Sequence, residues 1–74
     1  MLKRILSIIS QYSDVPSEYF DEGSNIFDLG IDSLRMLKII VEIEELYCVK
    51  FENQEIVDIR TASDIEKNIL EKIK

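Results

Sequence analysis

One serine of this chain is placed where a helix start would suit a negatively charged modification. Residues 28–34 read Asp-Leu-Gly-Ile-Asp-Ser-Leu, and helical periodicity follows them, so Ser33 falls at the start of a helix. The unpaired backbone N–H groups and the positive dipole end at such a site favour an anion. We therefore expect Ser33 to suit a phosphate ester, Asp32 to cap the helix, and Gly30 to allow an unusual backbone angle or a close approach.

The residue types present in the whole chain argue against an enzyme. The chain contains no histidine, which removes Ser–His and Cys–His nucleophiles together with the commonest zinc ligand. None of the 15 acidic residues has the apolar surroundings that raise a carboxyl pKa. A hydrolase built on Ser33 is therefore the least favoured hypothesis, and we expect neither a catalytic site nor a metal site.

Length and charge indicate one small acidic domain that covers residues 1–74. The chain is 46% hydrophobic and 32% charged, which is typical of a globular protein, and its net charge of −6 argues against a nucleic-acid partner. Its apolar runs are too short to span a membrane. The single cysteine, Cys48, cannot form an internal disulfide and is predicted to be a small buried hydrophobe. We expect a cytoplasmic monomer.

Apolar spacing predicts the first helix and the loop after it. Residues 2–12 follow a helical pattern carried by Leu2, Ile5, Leu6 and Ile9. Residues 14–32 hold six acids, no base and scattered apolar side chains without one period. This composition predicts a long loop pinned to the core, with one helical turn at 17–20.

The second helix, predicted for residues 33–47, carries two apolar arcs. The expected core arc comprises Met36, Ile39, Ile40, Ile43, Leu46 and Tyr47. The other arc, which we call the Ser33 arc, comprises Leu34, Leu37 and Val41, with Glu44 and Glu45 beside it. A small bundle needs only one core face, so the Ser33 arc is either packed beneath the long loop or exposed for partner docking.

The remaining residues predict two further helices. After an extended stretch at 48–51, Asn53 starts a short turn over 54–59, with Ile56, Val57 and Ile59 facing inward. The last helix opens with a capping box at Thr61 and Asp64, or at Ser63 and Glu66. Its apolar stripe comprises Ala62, Ile65, Ile69 and Ile73, with Leu70 alongside. The predicted fold is all-α: a four-helix bundle of three longer helices and one short helix with a long first loop.

This layout resembles the acyl and peptidyl carrier protein family along the whole chain. The resemblance rests on the motif at 29–34, the acidic first loop and the lead from Ile59 to Thr61. It implies that Ser33, within the motif that includes Asp32 and Leu34, holds a 4′-phosphopantetheine arm. A separate phosphopantetheinyl transferase would move this arm from coenzyme A, and its thiol would hold an acyl or aminoacyl thioester for loading and downstream biosynthetic enzymes.

Two features of the sequence indicate which branch of the carrier protein family this chain resembles. Arg35 and Lys38 occupy turns that tend to be acidic in fatty-acid carriers, and positive charge there opposes the helix dipole, so a partner contact is the expected reason. The lead-in at 25–30 looks like carriers of peptide and polyketide assembly lines. We expect a discrete carrier of that type. The alternatives are a fatty-acid acyl carrier protein and an unmodified acidic interaction module. The predicted docking surface comprises Leu37, Val41, Glu44, Glu45, Arg35 and Lys38.

Overall fold

The computed structural model describes residues 1–73, which contain four α-helices. They are α1 (Leu2–Tyr12), α2 (Ser33–Tyr47), α3 (Asn53–Asp58) and α4 (Ala62–Lys72). Two short 3₁₀ turns, Ser17–Tyr19 and Ile26–Leu29, interrupt the first loop, and no strand occurs among the described residues. The predicted all-α bundle of three longer helices, one short helix and a long first loop is confirmed. Within residues 1–73, no helix combines the length and apolar character needed to cross a membrane.

Isoleucine side chains fill the core. The ten largest fully buried side chains are Ile5, Ile9, Ile26, Ile31, Ile39, Ile40, Ile43, Ile59, Ile65 and Ile69. Helix α1 packs against both α2 and α4, so these side chains meet between the three longer helices. Burying each one contributes about 1.5–3 kcal/mol relative to leaving it exposed, and the branched side chain restricts χ1 to few rotamers. A well-defined core therefore supports the N-terminal end of α2.

The first loop is hydrogen-bonded to the start of α4 and is closed on itself beside the end of α1. Ile26 lies in the core, and its backbone N–H donates to the carbonyl oxygen of Arg60 at 2.8 Å, just before α4. The Ser63 N–H of α4 donates to the carbonyl oxygen of Glu22 at 3.1 Å, and within the loop the Asp14 N–H donates to the carbonyl oxygen of the buried Leu29 at 2.9 Å. These contacts confirm that the loop is pinned to the core, and they carry it directly into the start of α2.

Side-chain caps fix the N-terminal ends of both helices in the C-terminal half, α3 and α4. Thr61 Oγ1 accepts the Asp64 N–H at 3.1 Å, while Asp64 Oδ2 accepts the Thr61 N–H at 3.1 Å, so the first of the two predicted capping boxes is the one formed. Helix α3 starts and ends one residue earlier than predicted, because the Glu55 carboxylate accepts the Glu52 N–H at 2.7 Å and caps the helix there.

Several apolar residues predicted to face inward lie on the surface. Val57 is 62% exposed, because α3 has fewer than two turns and buries only one side, while Ile73 is 53% exposed just beyond the end of α4. Leu70, expected beside the α4 stripe, is also exposed. Leu46 is exposed because it borders an open groove between α1 and α2 that Arg4 also lines. The inward predictions for Val57, Ile73 and Leu46 were wrong.

Cys48 is exposed, so the prediction of a buried thiol was also wrong. The residue ends α2 in the left-handed conformation, with φ of 55°, and its N–H and that of Val49 both donate to the carbonyl oxygen of Glu44. This hydrogen-bonding pattern closes the last turn of a helix and directs the terminal residue away from the helix axis. Its side chain therefore faces solvent rather than the core.

Candidate functional site

Ser33 is the first residue of α2, and its side chain is exposed. The Asp32 carboxylate accepts the Arg35 N–H at 2.8 Å, which confirms the predicted N-cap. At this position in a helix, the N–H groups of Ser33 and Leu34 have no acceptor within the helix. An anion on the Ser33 hydroxyl would therefore gain about 0.3–1 kcal/mol from the helix end.

The backbone before Ser33 makes a turn that requires glycine. Gly30 ends the second 3₁₀ turn with φ of +82°, in the left-handed region. A Cβ atom built there would also overlap the carboxylate of Asp14. The absence of a side chain thus serves two needs, a positive φ and a close approach of Asp14, which lies two residues after α1. The expected unusual angle at Gly30 is confirmed.

Arg35 connects the start of α2 to the end of α1. Its Nη1 atom donates to the carbonyl oxygen of Gly30 at 3.0 Å, to that of Tyr12 at 3.2 Å and to Asp14 Oδ1 at 3.2 Å. These acceptors offset the unfavourable position of a cation near a helix N-terminus. Sequence reasoning missed this contact, since Asp14 precedes Arg35 by 21 residues and no periodicity joins them. A docking role for Arg35 stays a prediction.

The Ser33 arc is exposed, and the loop does not cover it. Leu34, Leu37 and Val41 have 62%, 49% and 50% of their surface accessible, respectively. Together with Lys38 they line an open depression of about 310 Å³ on the outer face of α2. The hypothesis that this arc packs beneath the first loop was therefore wrong, and partner docking there stays a prediction.

The charged residues near this arc differ in what they contact. The Glu44 carboxylate accepts the Phe51 N–H at 2.8 Å, so it fastens the segment after α2. Glu45 and Lys38 are exposed, and neither forms an ion pair within residues 1–73. Glu45 and Lys38 can therefore meet a partner without breaking an ion pair, whereas Glu44 would first lose a structural contact.

A second depression lies on the other side of Ser33, between α2, α3 and the first loop. This Ser33 groove has a volume of about 500 Å³ and is lined by Asn25, Phe27, Ser33, Met36, Leu37, Ile56, Val57 and Arg60. Phe27 and Val57 expose apolar surface there. Sequence reasoning did not find Phe27, Val57 or Arg60, because only the folded loop brings them beside the serine.

The groove fits a particular kind of group. Its walls are mainly apolar or neutral, and Arg60 is the one charged residue among those that line it. A long neutral chain that begins with an anion at Ser33 matches this arrangement. The chemistry of a 4′-phosphopantetheine arm, a phosphodiester followed by amide-linked methylene segments, is of that kind.

Comparison with known proteins agrees with this geometry. Residues 3–69 match the family model described as the phosphopantetheine attachment site. The chain is 39% identical over 62 residues to the meromycolate extension acyl carrier protein of Mycobacterium tuberculosis, covering 82% of this chain and 54% of that protein. It is 42% identical over 50 residues to an acyl carrier protein of Rhodococcus erythropolis, covering 68% of this chain and 55% of that protein. The chain thus spans about half the length of these relatives.

A solved structure supports the fold independently. The acyl carrier protein of Thermotoga maritima superposes with a TM-score of 0.80, over 97% of this chain and 85% of that chain. The two sequences are 24% identical, so this likeness bears on the fold alone.

Proposed function

Because the chain belongs to the phosphopantetheine attachment family, together with acyl carrier proteins, we propose that it carries acyl intermediates on an arm attached to Ser33. The arm is 4′-phosphopantetheine, and its terminal thiol would hold the acyl group as a thioester. The observation that supports Ser33 most directly is its exposed position at the capped start of α2, beside a groove that suits such an arm.

The chain's own residues have defined roles in this proposal. The Ser33 hydroxyl would attack the pyrophosphate of coenzyme A, so that a phosphodiester forms on Ser33, the pyrophosphate bond breaks and adenosine 3′,5′-bisphosphate leaves. Asp32 caps the helix so that its free N–H groups face the new negative charge. Gly30 and Arg35 hold the turn that presents the serine. The chain has no histidine to activate a hydroxyl, and a separate phosphopantetheinyl transferase would supply the base for the attachment.

An acyl cargo is proposed ahead of an aminoacyl cargo. The M. tuberculosis and R. erythropolis relatives are both acyl carrier proteins. An assembly line of the peptide or polyketide type stays a prediction, as does location in the cytoplasm. Loading and downstream enzymes are the expected partners, and the mass of the carrier isolated from its host would identify the acyl group.

Intact-mass measurement tests the attachment site. We expect incubation with coenzyme A and a broad-specificity phosphopantetheinyl transferase to add one phosphopantetheine to the protein, and none to Ser33→Ala. Ser63→Ala is a matched control, because Ser63 is also an exposed serine in the first turn of a helix. An unchanged mass for the parent protein would favour the unmodified interaction module. Persistent modification of Ser33→Ala would exclude Ser33.

A further inference from the structure

Arg60 is held with its guanidinium at the edge of the Ser33 groove. Its Nη1 atom donates to the carbonyl oxygens of Val57 at 2.6 Å and Ile59 at 3.0 Å, and its Cζ atom lies 5.9 Å from the centre of the Phe27 ring. The two carbonyl contacts close the end of α3, while the aromatic ring supports the guanidinium from the first loop. The cation is thus fixed in place before any ligand arrives.

The charge of Arg60 is not neutralised within the described part of the chain. No ion pair to its guanidinium is formed among residues 1–73. The two nearest carboxylates in sequence have other contacts: Asp58 Oδ2 accepts from Gln54 Nε2 at 3.3 Å, and Asp64 Oδ2 accepts the backbone N–H groups of Arg60 at 2.9 Å and Thr61 at 3.1 Å. What distinguishes Arg60 from the other unpaired cations is that its guanidinium is held in place on the same groove as the candidate attachment serine, where it can bind an anion.

We propose that Arg60 is a positioning residue that binds the phosphodiester on Ser33 and directs the arm into the Ser33 groove. The proposal rests on the proposed function. Ser33 and Arg60 line the same groove, and a guanidinium recognises phosphate oxygens through paired N–H donors. With the phosphate held between Arg60 and the N-terminus of α2, the neutral part of the arm would lie against Phe27 and Val57.

Nuclear magnetic resonance of the modified protein tests this proposal without any enzyme assay. The protein carrying the arm is prepared with coenzyme A and the transferase, and its mass is checked first. We expect attachment to shift the Arg60 Nε–H, Phe27 ring and Val57 methyl resonances, and we expect these shifts to shrink at high salt. The ³¹P resonance of the phosphodiester reports the same contact from the side of the ligand.

Variants separate charge recognition from structural support. Arg60→Gln should move the ³¹P resonance towards that of a free phosphodiester and abolish the attachment shifts at Val57, whereas Arg60→Lys should keep much of both. Arg4→Gln is the matched control, since Arg4 lies on α1 beside a different groove. Circular dichroism of Arg60→Ala shows whether the protein still folds without this side chain. The resonance shifts of the parent protein on attachment test the proposal without any variant.

The possible failures are distinguishable. A parent protein whose mass does not increase overturns the proposed function and this proposal with it. A modified parent protein whose Arg60, Phe27 and Val57 resonances do not move overturns this proposal alone. So does a folded Arg60→Gln variant with an unchanged ³¹P resonance.

Discussion

Arg35 and Gly30 are joined by a 3.0 Å hydrogen bond from the guanidinium Nη1 to the carbonyl oxygen, across the residues that carry the candidate attachment site. Ser33 lies between them in sequence, at the point where the loop becomes helix. The same nitrogen reaches the carbonyl oxygen of Tyr12 and the carboxylate of Asp14. Arg35 therefore ties the turn before the serine to the last residue of α1 and to Asp14 just after it.

Replacing Arg35 with methionine should destabilise the protein. Arg35→Met removes hydrogen bonds to three acceptors but keeps much of the aliphatic length. Charge-assisted hydrogen bonds contribute about 1.5–3 kcal/mol when buried, and the side chain is 41% exposed, so we expect a loss of about 1–2 kcal/mol. Urea denaturation measures this loss. Lys38→Met removes an exposed cation from the same helix and should change little, so equal losses in the two variants would contradict a special role for Arg35.

The two glycines should respond differently to alanine. Gly30→Ala places a side chain at a φ of +82° and against the Asp14 carboxylate, so we expect it to cost about 1–3 kcal/mol. Gly23→Ala meets only Asp21 Oδ1 at 3.5 Å, an ordinary contact, and should be nearly neutral. Thermal melting of both variants checks the difference. In an Asp14→Ala background, which lacks both the clash and the Arg35 contact, Gly30→Ala should cost only the part of the loss that comes from the backbone angle. No loss relative to Asp14→Ala alone would show that the backbone angle is unimportant.

The features that could be predicted from the sequence are those that follow from local patterns of residues. Helices α1 and α2 have the predicted bounds, because their apolar residues recur with a helical period and Asp32 marks the start of α2. The loop could be predicted to be pinned, since buried residues such as Ile26 occur within it. Local spacing predicted a capping box at Thr61 and Asp64 or at Ser63 and Glu66, and the first of these is formed. These features depend on neighbours in sequence.

What could not be predicted depends on contacts between distant segments. Arg35 finds Asp14 across 21 residues, and Arg60 meets Phe27 only because the loop is tied down beside it. The exposure of Cys48 follows from the left-handed turn that ends α2. Local patterns carry no information on such contacts, which is why the Ser33 groove emerges only from the folded chain.

An ion pair between α3 and α4 should make stability sensitive to acid. Lys72 Nζ donates to both carboxylate oxygens of Glu55, at 2.6 and 2.7 Å, and lies 5.2 Å from the centre of the Phe51 ring. The hydrogen bond from Lys72, followed by that from the Glu52 N–H, lowers the pKa of Glu55 below its ordinary value of 4.5. The stabilisation is therefore present above about pH 4.5 and is lost as pH falls through the lower pKa of the folded state.

Glu55→Gln tests this pH dependence. The unfolding free energy of the variant should fall less steeply than that of the parent protein on acidification below about pH 4.5, because the variant has no proton to take up at this position. Glu45→Gln is the matched control for the loss of one negative charge, because Glu45 is an exposed carboxylate that forms no ion pair within residues 1–73. Parallel curves for Glu55→Gln and the parent protein would show that the ion pair contributes no pH-dependent stability.

The two apolar faces of α2 should separate function from stability. Leu37 and Val41 are about half exposed, whereas Ile43 is fully buried. Leu37→Ala and Val41→Ala should therefore cost little stability, while Ile43→Ala should cost about 2–5 kcal/mol because it leaves a cavity. An enzyme that acts on an arm at Ser33 must approach this end of α2, and an apolar centre with a charged rim is typical of a transient interface. Both surface variants should therefore slow transfer by the phosphopantetheinyl transferase.

Transferase kinetics and urea denaturation on all three variants distinguish the two faces. A docking contact predicts a raised KM for Leu37→Ala and Val41→Ala, with unfolding free energies close to that of the parent protein. Glu42→Ala, which truncates a polar side chain beside Val41 on the same helix, shows whether any truncation on this surface raises the KM. If Leu37→Ala and Val41→Ala destabilise the fold as much as Ile43→Ala, the Ser33 arc is structural. If they leave both stability and KM unchanged, the transferase does not use this surface.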